Sequence, residues 1–275
     1  MAFSIAFAAS LVLAFFLQGT RENPRRLGGF AVLGGLLPAV ALSYGWPAFY
    51  TLRVFWFCLG LLFVMGAVDD WIVLRPLTKL LCQITVAALF LSLTSPSTWG
   101  GGLVGPLGWL AYPVWLLWLV GITNALNLLD NMDGLTPGVG AITARGFSWL
   151  GLGAGWVLLP LSGALFGFLC LNFYRARIHL GDAGSHLVGF SLAVLPLYGA
   201  SESALWTVPI VLAIPICDTA FVTIARLKRG VSPFQGGKDH LSHRLAAVGI
   251  APPVVAAMFL AGAVILVGVA ALLGV

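Results

Sequence analysis

Charged side chains are scarce in this sequence, and their scarcity excludes an ordinary soluble protein. Asp, Glu, Lys and Arg make up only 8% of the 275 residues, while 60% are hydrophobic. A soluble domain carries about 25% charged residues, so this chain has too few to cover a surface in water. A helix that crosses a bilayer needs roughly 20 apolar residues. The composition therefore indicates a membrane protein whose spans are joined by short loops.

Paired cysteines and alternating strand patterns are also missing from the sequence. The four cysteines lie singly in apolar runs, with no C-x-x-C spacing, so we expect neither a thiolate metal site nor a disulfide framework. The apolar runs are nearly continuous and lack the alternation of a membrane β-barrel. We therefore predict an all-α fold, a polytopic integral membrane helical bundle, formed by a single domain over residues 1–275.

The apolar runs predict about ten transmembrane helices. They lie near residues 2–18, 29–45, 50–68, 80–95, 104–122, 135–151, 153–171, 186–200, 204–224 and 251–273. The first run has no basic segment before it and arginines after it, so we expect an uncleaved span with its N-terminus outside. The turn near residues 151–155 is the weakest boundary. Without it, the chain would have nine spans.

Ten spans place most of the charge on one side of the membrane. Among the 14 basic residues, only Arg53 and Arg145 fall outside the loops of that side, which the positive-inside rule makes cytoplasmic. Of the acidic residues, Glu202 alone falls on the outer turns, and Asp218 lies in the cytoplasmic half of the ninth span. Acidic residues do not follow the positive-inside rule, so a shared cytoplasmic site is the simplest reason for their position. Because placement explains the net charge of +5, we expect no nucleic-acid partner.

The first polar cluster ends the third apolar run. Asp69 and Asp70 are adjacent there, and Lys79 follows after one short loop. Two carboxylates at the end of a membrane helix are costly unless a cation or a donor stabilises them. Adjacent helical residues point about 100° apart, so we expect one carboxylate to contact a metal or take a proton while the other holds the loop. Lys79 is placed to meet a phosphate as a point charge.

The second cluster repeats a polar residue at every third position. Its members are Asn124, Asn127, Asp130 and Asp133. This spacing predicts that successive members share one side of a helical turn. Carboxylate and amide oxygens suit Mg²⁺, which is a hard cation, although a simple connecting loop is the alternative.

The third cluster places Asp182 between Gly181 and Gly184. The glycines let the backbone approach a ligand, and the free N–H groups of the following helix are expected to face an anion. A plain turn is the alternative. For His179 and His186 we expect hydrogen-bonded positions at the helix end rather than metal ligation.

The fourth cluster occupies the longest inner loop, residues 225–250, which is rich in Lys and Arg. These cations are expected to clamp a diphosphate or meet anionic headgroups, although the positive-inside bias explains part of them. His240 and His243 are three residues apart and are expected to share a helix face. A zinc site would need further ligands beside them, so we do not predict one.

Taken together, the clusters resemble the polyprenyl-phosphate N-acetylhexosamine-1-phosphate transferase family, known as glycosyltransferase family 4. The resemblance covers nearly the whole chain, from Pro24-Arg25-Arg26-Leu27-Gly28-Gly29 through the four clusters in the family's order. It implies a multi-pass enzyme of the inner (plasma) membrane, active on the cytoplasmic face, which binds a UDP-amino-sugar with Mg²⁺ or Mn²⁺. A polyprenyl phosphate attacks the β-phosphorus, UMP leaves, and the lipid-diphospho-sugar enters a cell-envelope glycan such as lipopolysaccharide or teichoic acid. A homodimer is compatible with this expectation.

The clusters and the resemblance give three sets of candidate residues. The catalytic set contains Asp69, Asp70, Lys79 and Asp130. The metal-binding set contains Asn127 and Asp182. The substrate-binding set contains Asn124, Asp133, His240, His243 and Arg244. The resemblance implies that Asp69 activates or orients the lipid phosphate, that Lys79 contacts the diphosphate, and that the last loop contacts phosphate and sugar.

The last loop also favours one branch of the family. The branch that transfers phospho-N-acetylmuramoyl-pentapeptide carries three consecutive histidines there, whereas this chain has His240-Leu241-Ser242-His243. That pattern is similar to the spaced histidine motif of the N-acetylglucosamine-1-phosphate branch, with Ser242 in place of a common histidine. We therefore expect UDP-N-acetylglucosamine as the donor, with the pentapeptide form and other UDP-amino-sugars as alternatives.

Two other classes of membrane protein are less consistent with the sequence. An ion-coupled transporter usually carries its acidic residues near the bilayer midplane, whereas these cluster at one interface. A CDP-alcohol phosphotransferase needs a dense Asp-Gly, Ala-Arg and Asp array, which this chain lacks.

Overall fold

The computed structural model describes residues 1–20, 25–94, 108–198, 204–232, 237 and 239–273. Within these residues the fold is helical, and the β-structure is limited to one isolated bridge between Arg25 and Ile178. This confirms the all-α prediction. The positions predicted for Pro24, Glu202 and Lys238 lie outside the described residues.

Thirteen α-helices are present in the described ranges. They are α1 (Ala2–Leu17), α2 (Gly28–Tyr44), α3 (Trp46–Thr51), α4 (Arg53–Ile72), α5 (Pro76–Leu93), α6 (Ala111–Leu129), α7 (Leu135–Trp149), α8 (Gly155–Asn172), α9 (Gly181–Val194), α10 (Ala204–Val211), α11 (Ala213–Lys228), α12 (Leu241–Ala247) and α13 (Pro252–Leu272). Five of them, α4, α5, α6, α8 and α13, are long and apolar enough to cross a membrane. The chain is thus a membrane-type helical bundle.

Each predicted span falls on a helix or a helix pair, but several predicted boundaries are wrong. The fifth span was predicted to end at residue 122, whereas α6 continues to Leu129 because Asn124 and Asn127 bond to other side chains inside the bundle. The ninth span is divided into α10 and α11, which meet at Leu212 near Pro209 and Pro215. The turn predicted near residues 151–155 is confirmed between α7 and α8.

Helix α9 lies at the centre of the bundle. It packs against α2, α4, α6 and α7, and every residue of α9 except Asp182 is buried. The structure begins α9 at Gly181, whereas the sequence predicted this span from residue 186. The helix starts earlier because an acceptor from α4 satisfies its first N–H groups, as described below. Asp182 is therefore the one partly exposed position of this buried helix.

Candidate active site

Helices α4 and α9 approach each other closely where the acidic residues lie. A Cβ atom added at Gly66 would lie 2.6 Å from the backbone nitrogen of Ala183 and 2.6 Å from the carbonyl oxygen of Asp182. Only glycine fits such a contact between backbones. Gly66 therefore brings the end of α4, with Asp69 and Asp70, against the start of α9.

The two adjacent aspartates of α4 have different partners, and Asp69 holds the following loop, as predicted for one of them. Asp70 accepts hydrogen bonds from the backbone N–H groups of Asp182 at 2.9 Å and Ala183 at 3.1 Å. The anion expected at this helix N-terminus is thus a carboxylate of the protein. Asp69 instead accepts the backbone N–H of Leu74 with Oδ1, which holds the loop after α4, and leaves Oδ2 to Lys79.

The ammonium group of Lys79 joins two carboxylates that are distant in sequence. Its Nζ lies 2.7 Å from Asp69 Oδ2 and 2.9 Å from Asp182 Oδ2. Lys79 thus reaches back to the end of α4 and neutralises charge from α4 and α9 together. Its side chain is 25% exposed, so the ammonium group is not completely buried.

Asn127 of α6 completes this group. Its Nδ2 donates to Asp182 Oδ1 at 3.0 Å and to Ser185 Oγ at 2.8 Å. Asp182 therefore bonds to Asn127 through one oxygen and to Lys79 through the other. The structure brings the two predicted metal-binding residues together, and Ser185 is a partner that the sequence analysis missed.

A buried polar chain behind this group was also missed. Asn124 Nδ2 donates to Gln83 Oε1, Gln83 Nε2 lies 2.7 Å from His186 Nε2, and His186 Nδ1 lies 2.5 Å from the carbonyl oxygen of Asp182. The carbonyl oxygen can only accept, so His186 carries its proton on Nδ1 and accepts from Gln83 at Nε2. Asn124 is therefore linked to Asp182 through α5 and α9. The signal in the sequence was Gln83, a lone amide in the apolar run of α5.

The predicted helical repeat holds only for its first half. Asn124 and Asn127 lie on α6, but α6 ends at Leu129 and Asp130 follows as its C-cap residue. Asp133 lies in the turn before α7, next to Gly134, which has φ +75°. The prediction that Asp130 and Asp133 continue the same helix face is wrong, because the helix ends at Leu129 and both aspartates lie in the turn before Leu135.

That turn forms one wall of a polar cavity of about 290 Å³. The lining residues are Arg26, Asp70, Asp130, Asn131, Met132, Asp133, Asn172, His179, Gly181 and Asp182. Of the candidate residues, Asp70, Asp130, Asp133 and Asp182 belong to this lining, whereas Asp69, Lys79, Asn124, Asn127 and the three on the last loop do not. The cavity therefore joins the ends of α4, α6 and α9 with Arg26 of the segment before α2.

Asp130 lies among other acidic groups in this cavity. Burial, together with the negative charges of Asp182, Asp70 and Asp133, raises the pKa of the Asp130 carboxyl to about 8, although Arg26 acts in the opposite direction. Its ionisation is thus disfavoured until positive charge enters the cavity. This is the environment expected beside a bound cation.

Asp133 and Asn172 fix the far wall of the cavity. Asp133 Oδ2 accepts the backbone N–H of Ala176 at 3.0 Å, and its Oδ1 lies 3.8 Å from His179 Nδ1. Asn172 is 3% exposed and bonds to Gly134 N and Ile178 O. The segment between α8 and α9 is thereby held over the turn after α6.

The three candidates on the last loop do not share one environment. His240 is buried and its Nδ1 lies 2.7 Å from Asp218 Oδ2. Arg244 is exposed and its guanidinium lies 4.8 Å from the ring centre of Phe221, while His243 is partly exposed. The ring centres of His240 and His243 are 6.2 Å apart.

The oxygen and amide groups at the end of α9 fit a shared Mg²⁺ site. Both hydrogens of the Asn127 amide are donated, so its carbonyl oxygen is the atom that could coordinate a metal together with the Asp182 carboxylate. Among the described residues, no three His, Cys, Asp or Glu side chains group closely enough to enclose a metal by themselves. Mg²⁺ typically uses one or two carboxylates and completes its shell with water and substrate phosphates. The residues therefore suit a cation held jointly with a phosphate ligand.

Comparison with known proteins gives consistent matches. The family model "Glycosyl transferase family 4" matches residues 52–200, the part that holds the ends of α4, α6 and α9. A probable undecaprenyl-phosphate N-acetylglucosaminyl 1-phosphate transferase of Bacillus subtilis is 33% identical over 82% of this chain and 66% of its own length. A decaprenyl-phosphate N-acetylglucosaminephosphotransferase of Mycolicibacterium smegmatis is 32% identical over 82% of this chain and 65% of its own length.

A relative named for the other branch is also similar. A phospho-N-acetylmuramoyl-pentapeptide-transferase of Synechococcus is 34% identical over 72% of this chain and 62% of its own length. The chain therefore spans about two thirds of the length of the curated relatives that it matches. The family match covers more than half of the chain and includes Asp69, Lys79, Asn127 and Asp182. The chain belongs to glycosyltransferase family 4, as its motifs predicted.

Proposed function

We propose that this chain transfers N-acetylglucosamine-1-phosphate from UDP-N-acetylglucosamine to a polyprenyl phosphate and releases UMP. The observation that carries the proposal is the contact of Lys79 with both Asp69 and Asp182, beside Asn127 and a polar cavity. Phosphoryl transfer requires positioning and charge neutralisation above all. Relatives named as N-acetylglucosamine-1-phosphate transferases support this choice of sugar.

The reaction joins an oxygen of the lipid phosphate to the β-phosphorus of the donor. The bond between that phosphorus and the bridging oxygen breaks, and the electron pair leaves with UMP. In this proposal Lys79 moves part of its charge from the two carboxylates to the diphosphate. Asp69, held by its loop and by Lys79, orients the lipid phosphate.

The remaining groups bind the donor and a cation. Asn127 and Asp182 would hold Mg²⁺, and Mn²⁺ is the alternative. When bound, the metal supplies positive charge that neutralises the phosphoryl oxygens. In this proposal Asp130 and Asp133 contact the nucleotide, and Arg26 is a further cation in the same cavity. His243 and Arg244 approach from the last loop.

The arrangement in the membrane is part of the proposal. Ten crossings place the ends of α4, α6 and α9 and the last loop on the cytoplasmic face of the inner (plasma) membrane. In that orientation a soluble UDP-sugar meets the cavity from water, and the lipid substrate enters from the bilayer. A homodimer is compatible with this arrangement.

A pentapeptide transferase is the second candidate, because the Synechococcus relative carries that name. The last loop argues against it, since it carries His240-Leu241-Ser242-His243 where that branch has three consecutive histidines.

The test is UMP release by the purified protein with Mg²⁺, undecaprenyl phosphate and a panel of UDP-sugars. We expect release with UDP-N-acetylglucosamine, none without the lipid phosphate, and loss on chelation that Mg²⁺ or Mn²⁺ reverses. Full activity in a chelator would refute the metal assignment. Absence of release with every donor would refute the proposed reaction.

A further inference from the structure

Four consecutive residues at the start of α12 are each bonded to another part of the protein. Asp239 accepts from Arg226 Nε at 3.0 Å and from Arg229. The next three residues bond as follows: His240 Nδ1 to Asp218 Oδ2 at 2.7 Å, Leu241 N to Asp218 Oδ1 at 2.9 Å, and Ser242 Oγ to Asn131 Oδ1 at 2.6 Å. Such dense bonding is unusual for a segment at the end of a long loop.

Asp218 accepts two of these contacts, those from His240 and Leu241. It is 4% exposed and lies on α11, within the segment that the sequence placed inside a span. An ionised carboxylate only accepts hydrogen bonds, and each oxygen of Asp218 has one donor from the last loop. His240 therefore carries a proton on Nδ1. Burying a carboxylate costs desolvation free energy, which these two hydrogen bonds offset. Losing either partner would therefore destabilise the contact between α11 and the last loop.

The bond between Ser242 and Asn131 joins the same segment to the cavity. Ser242 is 1% exposed, and Asn131 is one of the residues that line the cavity. Ser242 also occupies the position where the sequence analysis noted a missing histidine. The serine fills this position with a hydrogen bond to Asn131.

His243 and Arg244 follow directly after the bonded residues. Arg244 is exposed, stacks on Phe221 of α11 and donates to the carbonyl oxygen of Asp239 at 3.3 Å. Its direction is thus set by the same helix that carries Asp218. His240, by contrast, is only 4% exposed, so a ligand in water cannot readily reach it.

We propose that Asp218, His240, Asn131 and Ser242 form a buried anchor that positions α12, so that His243 and Arg244 meet the donor diphosphate while His240 contacts no substrate. Asp218 and His240 are then positioning residues. This inference rests on the proposed function for the identity of the ligand, but the anchor itself is a property of the fold.

Two replacements of His240 separate an anchor from a substrate contact. The amide of asparagine can replace Nδ1 as a donor to Asp218, whereas the longer glutamine places its amide near the position of Nε2. We expect H240N to keep the KM for UDP-N-acetylglucosamine within about threefold and H240Q to raise it roughly tenfold, the usual effect of losing a bond to a charged group. Equal KM values, or a lower value for H240Q, would overturn the proposal.

The Ser242 pair provides a second comparison that does not depend on Asp218 variants folding. S242T keeps the hydroxyl group and S242A removes it. We expect S242A to raise the donor KM by about fivefold and S242T to have a donor KM close to that of wild type. The KM for lipid phosphate should be unchanged in both variants. C217S, at an exposed neighbour of Asp218 on α11, is the control. An equal rise in the KM values for the donor and for lipid phosphate would indicate general damage to the protein and overturn the proposal.

Hydrogen exchange of the Leu241 amide measures the anchor without any activity assay. Its N–H donates to Asp218, so exchange should accelerate by about tenfold or more in D218A and less in D218N, which keeps one acceptor oxygen. If wild-type protein releases no UMP from any donor while exchange responds as expected, the proposed function fails and the anchor stands. If exchange is the same in D218A and wild type, the anchor is refuted.

Discussion

The carboxylate of Asp70 accepts the backbone N–H of Asp182 at 2.9 Å, so the end of α4 caps the start of α9. The cap comes from another helix, and it therefore fixes the distance between the two helices as well as the helix end. Asp69 and Asp182 are both held within reach of Lys79 by this contact. Stability and site geometry are thus coupled through one side chain.

Replacing Asp70 should lower stability. D70A removes both bonds to the start of α9 and should reduce the free energy of unfolding by about 1–2 kcal/mol, the usual effect of losing a cap. D70N keeps one acceptor oxygen and should lose less. Thermal unfolding in detergent gives the melting temperatures, which we expect to be highest for wild type, lower for D70N and lowest for D70A. Equal melting temperatures for all three would show that the cap contributes nothing.

Replacing Asp182 should affect turnover rather than folding. D182N removes the negative charge that faces Lys79 and Asn127, and should lower the rate by roughly 100-fold or more. The backbone N–H that bonds to Asp70 is unchanged, so the variant should still fold, with its melting temperature lowered only by the weaker contact with Lys79. E202Q makes the same chemical change on the predicted outer turn and should leave the rate unaltered. A folded D182N protein with near wild-type turnover would make Asp182 a turn residue only.

The raised pKa of Asp130 predicts how stability depends on pH. The native carboxyl has a pKa of about 8, while an unfolded Asp titrates near 3.9, so the native state binds more protons between these values. Stability must therefore fall as pH rises through this window. D130N has no such group, so its stability relative to wild type should increase from pH 4 to about pH 8 and then level off.

Chemical denaturation at several pH values, without metal, tests the Asp130 prediction. A constant difference between D130N and wild type across the whole window would mean that Asp130 titrates as an ordinary surface group. Adding Mg²⁺ should weaken the pH dependence, because positive charge in the cavity favours the ionised carboxylate.

The proposed topology can be tested with single cysteines in a background without the four native ones. S232C, in the inner loop, should react with an impermeant thiol reagent only from the cytoplasmic side. S203C, beside Glu202 and outside the described residues, should react only from the outer side. Reaction of both positions from the same side would exclude the ten-span arrangement.

Much of the site could be predicted because its residues are costly in an apolar chain. Asp69, Asn127 and Asp182 are conspicuous in apolar runs, and the structure does bring them together. The helical repeat failed at Asp130, since periodicity alone does not show where a helix ends.

Partners that are close only in space could not be predicted from local patterns. Gln83 and Ser185 are single polar residues in apolar runs, and their role depends on which helix lies opposite. Asp218 was noticed as an acid inside a span, but its bond to His240 depends on how the last loop folds back onto α11. The loop residue His240 was consequently expected to contact substrate rather than to be buried.

The most direct test of the central claim follows the β-phosphorus of the donor. UDP-N-acetylglucosamine labelled with ³²P at that position is incubated with the purified protein, Mg²⁺ and undecaprenyl phosphate. Transfer of a sugar-1-phosphate predicts that the label moves into the lipid fraction, with one UMP released for each labelled lipid. Label that stays in UDP while sugar enters the lipid, or label that never leaves the donor, would contradict it.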